Sequence, residues 1–232
     1  MIRAATLAYV LASGCLASGC AVTDTGNPPM APEVDTDRVR LTSLFAGLLT
    51  LSAAPGSVDP PRGVVRVTNL DTAADAAQAP VAEDGSFELG VGADLGNELR
   101  LQIADGALRS EPVDFVDMGE QLIPIERALA CVTLDPPLDI DAGTLASSVD
   151  LSIVVTNGCA QPISLATAPR RTTAGISISA ELGSTVVEPS ATTSVRVSVD
   201  PIAPGSHEEV LFITIAVPVS DRRPITIHAT VP

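Results

Sequence analysis

The chain contains no lysine and no tryptophan, its only tyrosine is Tyr9, and its only phenylalanines are Phe45, Phe87, Phe115 and Phe212. Without lysine there is no phosphate-loop, Schiff-base or kinase lysine. The shortage of aromatic rings leaves little to stack against a sugar, which argues against generic polysaccharide binding and against the aromatic walls of a glycosidase cleft. Histidine is limited to His207 and His228, neither of which stands near a Ser or Cys in a nucleophile motif, and no G-x-S-x-G elbow occurs. Basic residues are also scarce: 13 Lys+Arg, all arginine, stand against 28 Asp+Glu, for a formal net charge of −15. Such a chain is repelled by nucleic acid and by anionic headgroups. These gaps point away from an enzyme, a cofactor or a nucleic-acid partner.

What is present begins at the N-terminus. Arg3 precedes an apolar run over residues 4–12, followed by L-A-S-G-C-L-A-S-G-C. This is the layout of a secretory signal peptide, with an apolar core too short to span a bilayer stably. Its ending resembles the lipobox of bacterial lipoproteins, in which small residues precede a cysteine that is diacylated and becomes the mature N-terminus. The pentapeptide occurs twice. Modification at Cys15 would leave an unusually short signal core, whereas Cys20 leaves one of ordinary length, so Cys20 is the expected lipidation site. A plain secretory signal cut at a small residue is the alternative. The resemblance implies a lipid anchor to the membrane of the cell envelope. Ala21, where an inner-membrane retention signal would have Asp, favours the outer membrane. Residues 21–37 are polar, hold three prolines and show no hydrophobic period, which reads as a disordered tether.

Export also bears on the thiols. With Cys15 removed and Cys20 lipidated, Cys131 and Cys159 remain as an even pair in an oxidising compartment, and a disulfide between them is expected. Closing that loop is worth roughly 3.6 kcal/mol on chain entropy. A zinc site is a poor alternative, because the pair has neither a C-x-x-C spacing nor a nearby His.

Beyond the tether the sequence alternates. Val65 and Val67 interleave with Arg66 and Thr68; Phe87, Leu89 and Val91 with Glu88 and Gly90; Leu99, Leu101 and Ile103 with Arg100 and Gln102. Each set puts apolar side chains on one face of a strand. Asp84-Gly85 reads as a hairpin turn before Phe87. A second run follows in Leu151–Ile153–Val155, Val195–Val197–Val199, Leu211–Ile213–Ile215 and Ile225–Ile227–Ala229, giving about seven strands in residues 128–232. The pattern predicts no helix in the mature chain.

In the first half, P-G-S-V-D-P-P-R-G-V-V-R-V-T-N-L, D-G-S-F-E-L and G-N-E-L-R-L-Q-I-A-D-G resemble carboxypeptidase-regulatory-like and bacterial immunoglobulin-like modules over residues 48–116. In the second, V-D-L-S-I-V-V-T-N-G-C-A-Q-P-I-S-L, V-E-P-S-A-T-T-S-V-R-V-S-V-D-P and I-T-I-H-A-T-V-P resemble immunoglobulin-like domains of the abnormal-spindle/hydin type. That resemblance places Cys131 within the first strand and Cys159 in the turn after a later one, and carries no catalytic residue across.

Several polar groups need placing. His228 alternates out of phase with Ile227 and Ala229 and is expected to face solvent, and His207 is expected in a loop. Carboxylates gather at Asp114/Asp117/Glu120 and at Asp135/Asp139/Asp141, where calcium at a domain junction competes with ordinary acidic loops; the incomplete ligand run favours the loops, and no metal site is expected. Gly90-x-Gly92-x-x-x-Gly96 precedes a strand, not the helix of a dinucleotide fingerprint, and so reads as a turn.

The expectation is an all-β chain with two tandem immunoglobulin-like β-sandwiches, at residues 38–127 and 128–232, behind a signal peptide (1–19) and a lipidated tether (20–37). Its expected role is non-enzymatic, presenting sandwich surfaces or an edge strand to other envelope proteins. A surface protein binding carbohydrate or peptide is the alternative, and a hydrolase comes third.

Overall fold

A computed structural model of the chain describes residues 30–45, 47–117, 122–170 and 175–232. Cys15, Cys20, the signal and most of the expected tether lie outside the described residues, as does Glu120. Residues 31–232 form one compact unit. Among the described residues the only helical element is a three-residue 3-10 turn at Thr36–Arg38.

The first half carries β1 (Glu33–Val34), β2 (Val39–Phe45), β3 (Leu48–Ala53), β4 (Val58–Asp59), β5 (Val64–Asn69), β6 (Ala77–Pro80), β7 (Phe87–Gly92), β8 (Glu98–Asp105), β9 (Leu108–Arg109), β10 (Val113–Asp117) and β11 (Leu122–Pro124). A β2-β3-β7 sheet faces a β11-β10-β8-β5-β6 sheet, with β9 added to β8. Taken as strands A, B and E against G, F and C, these form an immunoglobulin-type sandwich. The inward residues are those that the alternation marks: Val65, Val67, Leu99, Leu101, Ile103 and Phe115 pack against Leu41, Leu49, Leu51, Phe87 and Leu89 in one core.

Two local expectations need correction here. Glu33 and Val34, read as tether, pair with Asp59 and Val58, so the folded unit starts before Arg38. Asp84-Gly85 does turn the chain, with Gly85 at φ 80° and Asp84 accepting hydrogen bonds from the Ser86 backbone and hydroxyl at 3.0 and 2.6 Å. Those bonds hold the Asp84 carboxyl below its ordinary value. The turn joins β6 to β7, which lie in different sheets, so it is a crossover and not a hairpin. Local turn chemistry cannot tell the two apart.

The second half carries β12 (Val132–Asp135), β13 (Asp139–Thr144), β14 (Val149–Asn157), β15 (Ile163–Pro169), β16 (Ile176–Leu182), β17 (Val186–Val187), β18 (Thr192–Pro201), β19 (Gly205–Val217) and β20 (Asp221–Val231). A β12-β14-β18-β16 sheet packs against a β13-β20-β19-β15-β17 sheet. This is the A-B-E-D and G-F-C arrangement of an immunoglobulin domain, extended by β13 running parallel beside β20. Its core runs from Leu129 to Ala229 and includes Ile153, Val155, Val195, Val197, Val199, Ile213 and Ile227. Cys131 and Cys159 are joined by a disulfide with their Cα atoms 5.0 Å apart. Cys131 sits in the turn just before β12, not within a strand.

The two sandwiches meet through the outer faces of their G-F-C sheets. Central strand β8 is therefore buried on both faces from Glu98 to Ile103, and β20 is buried from Pro224 to Ala229. His207 correspondingly lies in β19 and not in a loop.

Candidate functional site

The polar residues that alternate with the first core stand on one outer face of β5, β8 and β10: Arg66, Thr68, Glu98, Arg100, Gln102 and Asp114. Opposite them, on β13, β19 and β20, stand Asp139, Glu208, Arg222, Pro224, Thr226 and His228. Antiparallel register brings Thr68, Arg100 and Asp114 into one cross-strand row, and Glu208 beside His228. The face the sequence pattern assigns to solvent is a protein–protein joint inside one chain.

Arg100, 2% exposed, is its centre. Its Nε and Nη2 donate to the two Asp114 oxygens at 2.7 and 3.0 Å, a bidentate pair. Nη1 donates to Thr226 Oγ1 at 2.7 Å and to the Leu138 carbonyl at 3.2 Å, and Nη2 also to the Pro224 carbonyl at 2.7 Å. All five guanidinium donors are used, three of them on the other sandwich.

Two more arginines extend the network. Arg127, from the connection between sandwiches, contacts Asp114, donates to Glu98 Oε1 at 3.2 Å and to the Arg222 carbonyl at 2.7 Å. Arg222 donates from Nε to Glu98 Oε2 at 3.0 Å and from Nη2 to Asp71 Oδ1 at 2.8 Å, with its guanidinium 4.7 Å above the Phe212 ring. Burial disfavours the Arg222 charge, but the Glu98 and Asp71 hydrogen bonds outweigh it and raise the affinity for the proton above its ordinary level. Phe212, Val210 and Leu70 form a small apolar cluster across the same joint.

His228 is 4% exposed, contrary to its expected solvent position. Its Nε2 lies 2.6 Å from Asp139 Oδ1 and its Nδ1 3.5 Å from Glu208 Oε2. Gln102 donates to Asp139 Oδ2 at 2.8 Å, Arg66 Nη2 lies 2.9 Å from Glu208 Oε2, and Thr68 donates to Glu208 Oε1 at 3.1 Å. Burial pushes the Asp139 carboxyl up; contact with His228, the Gln102 hydrogen bond and the Arg109 charge more than reverse this and leave it below its ordinary value of 3.8.

Glu120 and the side chain of Asp117 lie outside the described residues, and the other acidic residues singled out in the sequence turn to separate partners. Asp114 is taken up by Arg100 and Arg127, and Asp139 by His228 and Gln102. Asp141 accepts the Gly143 N–H at 2.8 Å, and Asp135 is exposed. Among the described residues no group of three or more His, Cys, Asp and Glu side chains is arranged to hold a metal ion.

Beside the joint lies a cavity of about 260 Å³ lined by Arg66, Asp75, Ala76, Gln78, Arg170, Ser206, His207 and Glu208. Arg170 contacts the Ala74 carbonyl across it. Burial lowers the proton affinity of Arg170, although Glu209, Glu208 and Asp75 partly offset the effect. The Nε atoms of Arg66 and Arg170 are buried without a hydrogen-bond partner. His207 Nε2 lies 2.8 Å from the Ala203 carbonyl. The lining is polar, with the guanidinium groups of Arg66 and Arg170 set against the carboxylates of Asp75 and Glu208.

The sequence held one signal for the joint. Every cation in it is arginine, whose planar fork suits buried carboxylate pairs better than lysine does. In L-R-L-Q-I the intervening residues are also ones that can be fully hydrogen-bonded when buried.

No protein-family model matches the chain, and no curated protein is similar enough to match. Among solved structures, it resembles the VesB protease of Vibrio cholerae at 13% identity and TM-score 0.39, over 72% of this chain and 61% of that one. A protein of unknown function from Porphyromonas gingivalis W83 aligns at 14% identity and TM-score 0.36, over 87% and 100%. SSP-19, an MSP-domain protein like family member in Caenorhabditis elegans, aligns at 19% identity and TM-score 0.30, over 42% and 98%. The chain thus spans less than two thirds of the length of VesB.

Proposed function

We propose that this chain is a non-enzymatic lipoprotein of a bacterial cell envelope, anchored through a diacylated Cys20, whose coupled sandwiches form a stiff module for protein–protein interaction. The observation that carries this reading is the joint. His228, Asp139, Glu98, Asp114, Arg100 and Arg222, the groups best suited to chemistry, are consumed in holding one sandwich against the other. Free sheet edges and an acidic exterior remain for partners. The lipobox resemblance supports the anchor, and the absence of lysine and tryptophan supports a non-catalytic role.

The test has two parts. Fatty-acid labelling in cells should mark the wild type and the Cys15→Ala variant but not Cys20→Ala. Cross-linking in the native envelope, followed by purification and mass spectrometry, should then recover one reproducible protein partner. Label that persists in Cys20→Ala, or turnover of a glycan, peptide or ester that a single Asp or Glu substitution abolishes, would contradict the proposal.

The cavity favours a second reading, a surface protein that binds a small polar ligand. Its buried Arg66 and Arg170 Nε donors are suited to a carboxylate-bearing peptide end, and Glu208 and Asp75 to the amine of the same molecule. Among the described residues no Phe, Tyr or Trp ring lines it, which makes a sugar the poorer fit. Peptide and glycan panels compared between wild type and Arg170→Gln separate this reading from the first.

A further inference from the structure

A sheet edge exposes unpaired backbone donors and acceptors, and natural edges are shortened, bent, charged or interrupted by proline to prevent unwanted pairing. Most edges of this protein carry such a device. Strands β17, β11, β6 and β12 have two to four residues, and β11 and β6 end on Pro124 and Pro80. β2 is bulged between Ser43 and Phe45, β13 between Asp141 and Thr144, and β7 carries Gly90 and Gly92.

Strand β16 is different. It has seven residues, I-S-I-S-A-E-L, with no proline, glycine, bulge or basic side chain, and it ends the β12-β14-β18-β16 sheet. Its register with β18 fixes which of its backbone groups are unused. The Gly183 N–H donates to Ser194 and the Ile202 N–H to Gly175, so odd-numbered residues exchange hydrogen bonds with β18. In an antiparallel ladder the alternate residues point the other way. The N–H and C=O groups of Ile176, Ile178, Ala180 and Leu182 therefore line the open edge, where no described strand pairs with them.

We propose that β16 pairs with the β16 of a second copy of this chain, antiparallel about a two-fold axis through Ser179. In that register Ser179 opposes itself, Ile178 opposes Ala180, Ser177 opposes Glu181 and Ile176 opposes Leu182. Core-facing residues meet core-facing residues and outward polar residues meet outward polar residues. The one charge, Glu181, faces a serine and has Arg196 beside it on β18. The open-edge groups of all four even-numbered residues find partners at once, and the half-exposed Ala180 and Leu182 gain cover. This goes beyond the interaction role proposed above: self-pairing can hold or fail whatever other proteins bind the module.

The test uses the full chain in detergent. Sedimentation should give a dimer for the wild type. Ala180→Pro, which removes an edge-facing N–H without breaking a bond to β18, should give a monomer with an unchanged circular-dichroism spectrum and an intact Cys131–Cys159 disulfide. Ser179→Lys, a change at an exposed position, opposes two like charges and should raise the dimer dissociation constant about fivefold or more. Ser179→Cys should cross-link between copies under mild oxidation, because it would occupy the close, non-hydrogen-bonded pair. Ser177→Cys, which opposes Glu181, should stay at wild-type background. A monomeric wild type, dimers that persist in Ala180→Pro, or equal cross-linking of both cysteine variants would overturn the proposal. A monomeric wild type that still captures an envelope protein, with capture lost in Ala180→Pro, would refute self-pairing while sustaining the interaction role.

Discussion

The protein has two kinds of interior. Each sandwich encloses a dry core of valine, leucine and isoleucine, such as Leu101, Ile153 and Val197, all at 0% exposure. Between the sandwiches lies an interior of comparable burial made of arginine, carboxylate, histidine and glutamine. Arg100 and Leu101 are adjacent in sequence and differ in exposure by only 2%. One is held by dispersion and loss of apolar surface to water, the other by a complete set of directed hydrogen bonds. The difference lies in what happens when a partner is removed. A cavity in the dry core can partly collapse, whereas a deserted carboxylate in the joint keeps its charge and loses its solvation.

Arg100→Ala sharpens that contrast most. It leaves Asp114 with Arg127 as its one remaining cation, strands the Thr226 and Pro224 oxygens, and should cost about 3 kcal/mol or more in chemical denaturation. It should also separate the unfolding of the two sandwiches into two transitions. Leu101→Ala on the opposite face should cost about 2–5 kcal/mol without uncoupling them. Equal coupling in both variants would erase the distinction between the interiors. Opening the Cys131–Cys159 disulfide with Cys131→Ala and Cys159→Ala together should cost about 2–4 kcal/mol in the single shared transition and, combined with Arg100→Ala, should fall on the transition of the second sandwich.

The effect of acid is smaller. Asp139 titrates below its ordinary value of 3.8 in the folded protein, so its contribution is full above that value and is lost as pH falls through the lower folded one. Denaturation midpoints measured from pH 5 downward should therefore fall more steeply for wild type than for Asp139→Asn. The smallest effect is expected at the exposed Arg38–Asp35 pair, 3.0 Å apart with side chains 53% and 47% exposed. Arg38→Ala should change stability by at most about 1 kcal/mol.

The same two interiors explain what could be read from the sequence. The dry cores were legible because strand periodicity is strict: Val65, Val67, Leu99, Leu101, Val195 and Val197 all fall where alternation puts them. The Cys131–Cys159 pair was legible from the thiol count. The joint was not, because periodicity separates the two faces of a strand without saying what the second face meets. Arg100, Gln102 and His228 sit in the phase expected of solvent-facing residues, yet they meet a second sheet whose outer residues are their complements. Nothing local to L-R-L-Q-I names Thr226 or Pro224, more than a hundred residues away. The crossover at Asp84-Gly85 is hidden for the same reason, since the pairing of β6 with β5 and of β7 with β3 depends on distant strands.

If the polar joint holds the two sandwiches as one stiff body, the distance between fixed points on each should be single-valued. Pulsed electron-spin distance measurement tests it most directly, with labels carried by noncanonical amino acids at exposed Glu88 and Asp150, one on each sandwich, and labelled chains diluted with unlabelled ones. Wild type should give a single narrow distance distribution that broadens in Arg100→Ala. A broad or multiple distribution in wild type, unchanged by Arg100→Ala, would show that the joint does not fix one sandwich against the other.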